Sequence, residues 1–137
     1  MHKPFLRIAS LLGALAVALG AFGAHALKAR VSDVAINTFE TGVRYQFYHV
    51  FAIMVLAILY KDFKNKWILF SANLFVVGIA LFSGSLYLLT FTLADVNSGF
   101  KWVGMITPVG GLAFILGWFF LLIGVMHQTK ITSTFNR

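Results

Sequence analysis

The sequence contains no cysteine and only four acidic residues among its 137 positions. Without thiols the chain can form neither a disulfide nor a thiolate metal site, and it has no cysteine nucleophile. The carboxylates are too few and too scattered to supply a catalytic pair within one apolar segment. The chain also lacks a Gly-x-Ser-x-Gly elbow and a phosphate-binding loop. We therefore expect a protein that is not an enzyme and that carries no cofactor.

Charged side chains are scarce as well, and apolar ones are abundant. Charged residues make up 11% of the chain and apolar residues 60%, whereas soluble domains have about 25% and about 45–50%. So few polar groups could not cover the surface of a small soluble domain. The net charge of +7 comes from Lys and Arg residues that lie between apolar runs. This placement favours membrane lipids as partners and argues against nucleic acid.

Four apolar runs are long enough to cross a bilayer, which needs about 20 helical residues. They cover residues 8–27, 42–60, 67–93 and 102–126. Hydrocarbon offers no hydrogen-bond partner to the backbone, so each run must be a helix. The predicted fold is an all-α membrane protein, a single domain over residues 1–137 with four transmembrane helices in a bundle.

The segment 28–41 joins the first two spans and has a helical pattern of its own. Val31, Val34 and Ala35 recur at helical spacing, and Ser32 or Asp33 could cap the start of a helix. We predict a short interfacial helix here, which is either separate from the second span or continuous with it.

The distribution of Lys and Arg predicts the orientation in the membrane. With four spans, both termini and the loop between spans two and three share one side, and that side carries seven of the eleven Lys and Arg residues. By the positive-inside rule this side is cytoplasmic. We therefore expect a multi-pass protein of the bacterial inner membrane with both termini in the cytoplasm. The seven residues are Lys3, Arg7, Lys61, Lys64, Lys66, Lys130 and Arg137.

The first span has an alternative interpretation as a secretory signal peptide. Lys3 and Arg7 precede the apolar run, and Ala24-His25-Ala26 resembles an A-x-A cleavage site. Cleavage would leave three spans and remove His25. We favour a retained transmembrane helix, because the apolar region of a signal peptide is only about 7–15 residues long.

Small residues recur at regular spacing in the first and fourth spans. They let helix backbones approach closely in lipid, where the hydrophobic effect does not drive helices together. Pro108, near the start of the fourth span, is expected to shape the first helical turns. We predict tight helix packing along two stripes, Ala16, Gly20 and Ala24 in the first span and Gly110, Gly117 and Gly124 in the fourth.

Polar side chains within the spans gather in the outer leaflet of the predicted topology, where lipid offers them no partners. One interpretation is a polar pocket that opens outward. The other is an internal hydrogen-bond network that holds the four helices in register. Glu40 and Arg44 are spaced favourably for an ion pair. The candidate polar site consists of His25, Glu40, Arg44, Tyr45, Gln46, His49, Ser83, Ser85 and Tyr87.

Two of these residues, His25 and His49, are also weak candidates for metal ligands. Imidazoles from two helices could form an axial pair for haem, or could bind one divalent ion together with Glu40. The two histidines lie on different spans, so no local spacing supports either site.

Two motifs are specific when they occur together, Leu19-Gly-Ala-Phe-Gly-Ala-His-Ala-Leu27 and Thr41-Gly-Val-Arg-Tyr-Gln-Phe-Tyr-His49. With the later runs Phe82-Ser-Gly-Ser85 and Thr107-Pro-Val-Gly-Gly111, the sequence resembles the YgdD/YwdK-like family of small bacterial inner-membrane proteins. The resemblance covers nearly the whole chain. It implies a four-span inner-membrane protein of unknown function, with no catalytic residues to transfer.

Three functional hypotheses remain. The favoured one is a structural or accessory component of a membrane assembly, either a homo-oligomer or a larger complex. The second is a small oligomeric transporter or channel whose substrates enter through the outward-facing polar pocket. The third and weakest is a haem-binding or metal-binding membrane protein.

Overall fold

Helices long enough to cross a membrane make up most of the described chain. The computed structural model describes residues 1–94 and 101–135. Within these ranges no residue belongs to a strand, and four helical segments are long and apolar enough to span a bilayer. The predicted all-α fold with four transmembrane helices is therefore confirmed. The segments are Lys3–Leu27, Asp33–Leu59, Lys66–Leu93 and Trp102–His127.

Two of the spans contain a π-helical turn, in which the backbone hydrogen bonds join residues five apart. The first span ends in such a turn at Gly23–Leu27, and the third is divided by one at Ile79–Ser83. A 3₁₀ turn at Lys101–Met105 opens the fourth span. The α-helices are α1 (Lys3–Phe22), α2 (Asp33–Leu59), α3 (Lys66–Gly78), α4 (Gly84–Ala94) and α5 (Ile106–Phe135).

The second span begins earlier than its apolar run. Ser32 caps α2, because its Oγ accepts from the Ala35 backbone N–H at 3.3 Å. From Asp33 the helix runs unbroken to Leu59. The helix expected between the first two spans is therefore present, but it forms the first turns of α2 instead of a separate interfacial element.

The helices pack in chain order, with α2 near the centre. On one side α2 packs against α1, and on the other against α3 and α4, while α5 packs against α3 and the second π turn. The contact of α1 with α2 is antiparallel. A Cβ atom at Gly13 would lie 3.4 Å from Val50 Cγ1, and one at Gly20 would lie 3.6 Å from Val43 Cγ1.

Three glycines of α5 face three large side chains of the third span. Each set repeats every seven residues, and the two sets run in opposite directions, so the spans are antiparallel and stay in contact over two heptads. A Cβ on any of these glycines would overlap its neighbour. The pairs, with the closest distance from such a Cβ, are Gly124 and Ile68 (2.8 Å), Gly117 and Phe75 (2.5 Å), and Gly110 and Phe82 (2.3 Å).

The stripe of small residues in the first span behaves less uniformly. Ala16 is fully buried, and Gly20 lies in ordinary contact with α2. Ala24 is exposed. The π turn that begins at Gly23 interrupts the α-helical spacing just before Ala24, so the third position of the stripe does not face α2.

The contact between Gly110 and Phe82 gives a testable prediction. A Cβ at Gly110 would meet the Phe82 backbone N, which cannot rotate away as a side chain could. We expect Gly110→Ala to lower the free energy of unfolding by about 2 kcal/mol, because overpacking forces the helices apart. Thermal unfolding in mild detergent, followed by circular dichroism, measures this. Gly104→Ala is the matched control, since nothing lies within 4 Å of a Cβ there. Equal melting temperatures for the two variants would contradict the close contact.

Candidate functional site

The Gln46 side chain joins three helices. It is 1% exposed. Its Nε2 donates to the Leu12 carbonyl of α1 at 2.7 Å, and its Oε1 accepts from the Tyr87 hydroxyl of α4 at 2.8 Å. Gly42, one turn away, makes room for the tyrosine, because a Cβ there would lie 2.8 Å from Tyr87 Cε1. Gln46 therefore fixes the positions of α1 and α4 along the axis of α2.

The His49 ring is buried, and neither of its nitrogens is free. The Tyr45 carbonyl can only accept, so Nδ1 carries the hydrogen and donates to it at 2.8 Å. Nε2 then accepts from Trp118 Nε1 at 3.3 Å. The ring stacks on Phe114 with 3.5 Å between centroids and 6° between planes. These contacts select the neutral, Nδ1-protonated tautomer and connect α2 to α5.

Two polar side chains, one in the third span and one at its N-cap, bond to backbone carbonyls of α5. Ser71 Oγ donates to the Gly117 carbonyl at 2.7 Å, and Asn65 Nδ2 donates to the Gly124 carbonyl at 2.9 Å. Both acceptors belong to the glycine stripe. A glycine leaves its carbonyl accessible to a neighbouring helix, so the close packing and the interhelical hydrogen bonds occur at the same positions.

Ser83 and Ser85 differ although both are buried. Ser85 Oγ donates to the Phe82 carbonyl at 2.9 Å and shares a 2.7 Å hydrogen bond with Thr107 Oγ1 of α5. The Ser83 hydroxyl is fully enclosed and has no hydrogen-bond partner within the described part of the chain. Ser83 closes the second π turn, and such turns are rare and often lie at functional sites.

The exposed members of the candidate site lie elsewhere. His25, Glu40 and Arg44 are exposed on the surface of the bundle, and so is Tyr45. Arg44 donates to the Thr41 hydroxyl at 3.0 Å, and no ion pair joins it to Glu40 in the described chain. The predicted residues thus divide into a buried neutral group and an exposed group that contains both Glu40 and Arg44, and they do not line one outward-opening pocket.

The two histidines do not approach each other. His25 lies in the π turn beside Gly23, which packs against Phe39 of α2. His49 is ten residues further along α2, a distance of about 15 Å at 1.5 Å per residue. The two rings therefore cannot bind one ion or one haem iron within a single chain. No group of three His, Asp or Glu side chains in residues 1–94 and 101–135 could hold a metal ion.

Several residues that form these interhelical hydrogen bonds were not among the predicted site residues. Leu12 contributes only its backbone carbonyl, which any residue could supply. Trp118 lies in an apolar run where its indole N–H has no visible partner in sequence. A signal for Ser71 did exist, because it lies between Ile68 and Phe75, whose seven-residue spacing matches that of the α5 glycines.

The central part of the chain matches a known family. Residues 19–111 match the family described as "Protein of unknown function (DUF423)". The chain belongs to this family. The match includes Gln46, His49 and Tyr87, together with the α2 residues around them.

Relatives in the DUF423 family are similar along nearly their whole length. The chain is 37% identical to the UPF0382 membrane protein YwdK of Bacillus subtilis, over 90% of this chain and 97% of that protein. It is 37% identical to the UPF0382 inner membrane protein YgdD of Escherichia coli, over 95% of each chain. It is 38% identical to a UPF0382 membrane protein of Haemophilus influenzae, over 96% of this chain and all of that one. No solved structure matches. The resemblance noted from the motifs is confirmed, and the chain is an integral membrane protein.

The contrast between two buried serines gives a second prediction. Ser71→Ala removes a hydrogen bond to α5, and we expect it to lower the free energy of unfolding by about 1 kcal/mol. Ser83→Ala removes a buried hydroxyl that has no partner, so we expect the free energy of unfolding to rise by up to about 1 kcal/mol. Each variant is the other's control, because both delete one hydroxyl from the same span. Thermal unfolding in detergent compares them, and a loss of stability in Ser83→Ala would show that its hydroxyl has a bound partner.

Proposed function

We propose that this protein is a non-enzymatic structural or accessory component of a membrane assembly. The observation that supports this is that the buried amide of Gln46 and the buried imidazole of His49 are bonded to groups within the protein. Gln46 uses both ends of its amide on α1 and α4, and His49 uses both ring nitrogens on α2 and α5. Groups bonded in this way hold helices in register. Each polar side-chain atom of these two residues therefore already has a partner within the protein.

The surroundings of His49 also favour packing over passage. Rings of Phe75, Phe114 and Trp118 lie with centroids 5.2, 3.5 and 6.2 Å from that of the imidazole. A route for ions or polar solutes through a bilayer needs polar groups that face a water-filled cavity. Aromatic rings surround the His49 imidazole, and this argues against such a route at this position.

The outer faces of the bundle are suited to lipid or to other subunits. On α1, Leu11 and Val17 are exposed, and on α5, Ile115 and Leu122 are exposed. The buried Gln46 and His49 side chains are bonded within the chain, so we expect this small protein to act in an assembly through these outer faces.

We further propose that both termini lie in the cytoplasm. The support is the excess of Lys and Arg on the side that holds the termini and the loop between spans two and three. Within that loop, Lys61, Lys64 and Lys66 are all exposed, so their charges can contact headgroups and solvent directly.

The assembly can be tested by native mass measurement. We expect the tagged protein, extracted in mild detergent, to have a mass well above that of one chain. Gln46→Leu should lower both its melting temperature and its assembly, because the link between α1, α2 and α4 is lost. Asn73→Leu is the matched control, since the Asn73 amide is exposed and bonds only to the Leu69 carbonyl of its own helix. A monodisperse monomer, both in mild detergent and in lipid nanodiscs, would contradict the proposal.

The orientation can be tested with reporter fusions. We expect green fluorescent protein at the C-terminus to be fluorescent, and alkaline phosphatase there to be inactive, because the latter folds only outside the cytoplasm. A phosphatase fused after Arg30, beyond the first span, should be active and serves as the control. Active phosphatase at the C-terminus would overturn the proposed orientation.

A further inference from the structure

One face of α2 stays uncovered by the rest of the chain along most of the helix. Its residues recur at alternating intervals of three and four, which is the spacing of the contact positions in a coiled coil. The exposed fraction is 58% for Tyr48 and 58% for Phe51. We call this face the lipid-facing stripe of α2. It consists of Thr41, Arg44, Tyr48, Phe51, Val55 and Ile58.

Near the N-terminal end of this stripe, Arg44 carries a positive charge within the second span. Arg44 follows Val43, which lies beside Gly20 of α1. The apolar run of α1 continues from Gly20 to Leu27, so Arg44 lies about 10 Å below the end of that helix. A charged side chain at such a depth is costly unless it is paired. Lipid tails would leave it unpaired.

Among residues 1–94 and 101–135, no acid forms an ion pair with this arginine. Arg44 reaches back one turn and donates to Thr41, which brings the guanidinium to the level of Glu40. Glu40 is exposed on the flank of the stripe and forms no ion pair with Arg44 in the described residues. Two opposite charges therefore lie at the same depth on one face, and the described part of the chain provides a counter-ion for neither.

We propose that the lipid-facing stripe of α2 binds the same stripe of a second copy of this chain, with Glu40 of each copy beside Arg44 of the other. Copies in one membrane insert in the same direction, so the two α2 helices run parallel. In a two-fold symmetric contact both copies use the same surface, so a residue that contacts a second residue of the partner is matched by the reverse contact. One acid and one base on each face therefore make two reciprocal ion pairs.

This inference rests on the proposed function, and it identifies a second copy of the chain as one partner in the proposed assembly. An anionic lipid headgroup is a poorer match for Arg44, because Glu40 lies at the same depth and would repel a phosphate. The stripe also continues through Tyr48 and Phe51 to Ile58, about 21 Å along the helix from Arg44. A second helix can cover that length, whereas a headgroup covers only its upper end.

The absence of natural cysteine allows a direct test by cross-linking. Tyr48→Cys and Phe51→Cys each place one thiol on the stripe, and copper phenanthroline oxidises them in native membranes. We expect both variants to give a disulfide-linked dimer on a non-reducing gel. Ile115→Cys is the matched control, because it is 67% exposed on α5, away from the stripe. No dimer from the stripe, or equal dimer from all three variants, would overturn the proposal.

The ion pairs are tested in a second step that uses Phe51→Cys as the reporter. Glu40→Arg alone or Arg44→Glu alone sets like charges against each other, so we expect about tenfold less cross-linked dimer from each. The two single variants, expressed together with tags of different size, should restore a mixed dimer, because every pair in it is then of opposite charge. Rescue only when both changes are in one chain would show an intrachain pair and contradict the proposal.

Two further outcomes separate this inference from the proposed function. A native mass above that of one chain, without cross-linking through the stripe, would refute the interface and leave the assembly intact. Loss of bound anionic lipid in Arg44→Ala, with no dimer in the wild-type protein, would assign the arginine to a headgroup instead. If either charge-reversed variant fails to fold, Arg44→Gln removes the charge without repulsion and should still reduce the dimer.

Discussion

The close approach of the third and fourth spans is the contact on which the rest of the bundle depends. Helices in lipid gain little from the hydrophobic effect, so dispersion contacts and interhelical hydrogen bonds must hold them together. The α5 glycines supply both. At Gly117 the absence of a side chain admits the Phe75 ring and also leaves the carbonyl open to Ser71. The packing of the Phe75 ring and the hydrogen bond from the Ser71 hydroxyl both require the two helix backbones to be close, so the same interhelical distance allows both.

The second span connects this tightly packed pair to the first span. Gln46 bonds to both of its neighbouring helices, and His49 reaches past the third span to Trp118. Each of these side chains would be costly in lipid if it lost one partner, because the remaining polar group would stay buried and unpaired. The positions of α1, α4 and α5 are therefore coupled through α2. A polar network of this kind specifies a unique arrangement of helices whose outer surfaces are otherwise similarly apolar.

The spans, their helical nature and the seven-residue glycine repeat could be predicted from the sequence, because each depends on local spacing alone. The sequence could not show which polar groups meet. Glu40 and Gln46 are close in sequence, yet one is exposed and the other buried, since they occupy different faces of α2. The π turns change those faces locally, and no residue pattern marked the turn at Ile79–Ser83. The partner of Gln46 on α1 is a backbone carbonyl, which no side-chain pattern can reveal.

The division between neutral and charged residues carries a physical consequence of its own. In water an exposed charge is solvated, so its exposure needs no explanation. Within a membrane span, an exposed side chain faces lipid instead of water, and hydrocarbon solvates neither a guanidinium nor a carboxylate. The polar atoms of the buried Gln46 and His49 side chains all have hydrogen-bond partners, whereas Arg44 and Glu40 form no ion pair within the described ranges. In the proposed interface, a second copy of the chain would bring an acid beside each arginine at the same depth.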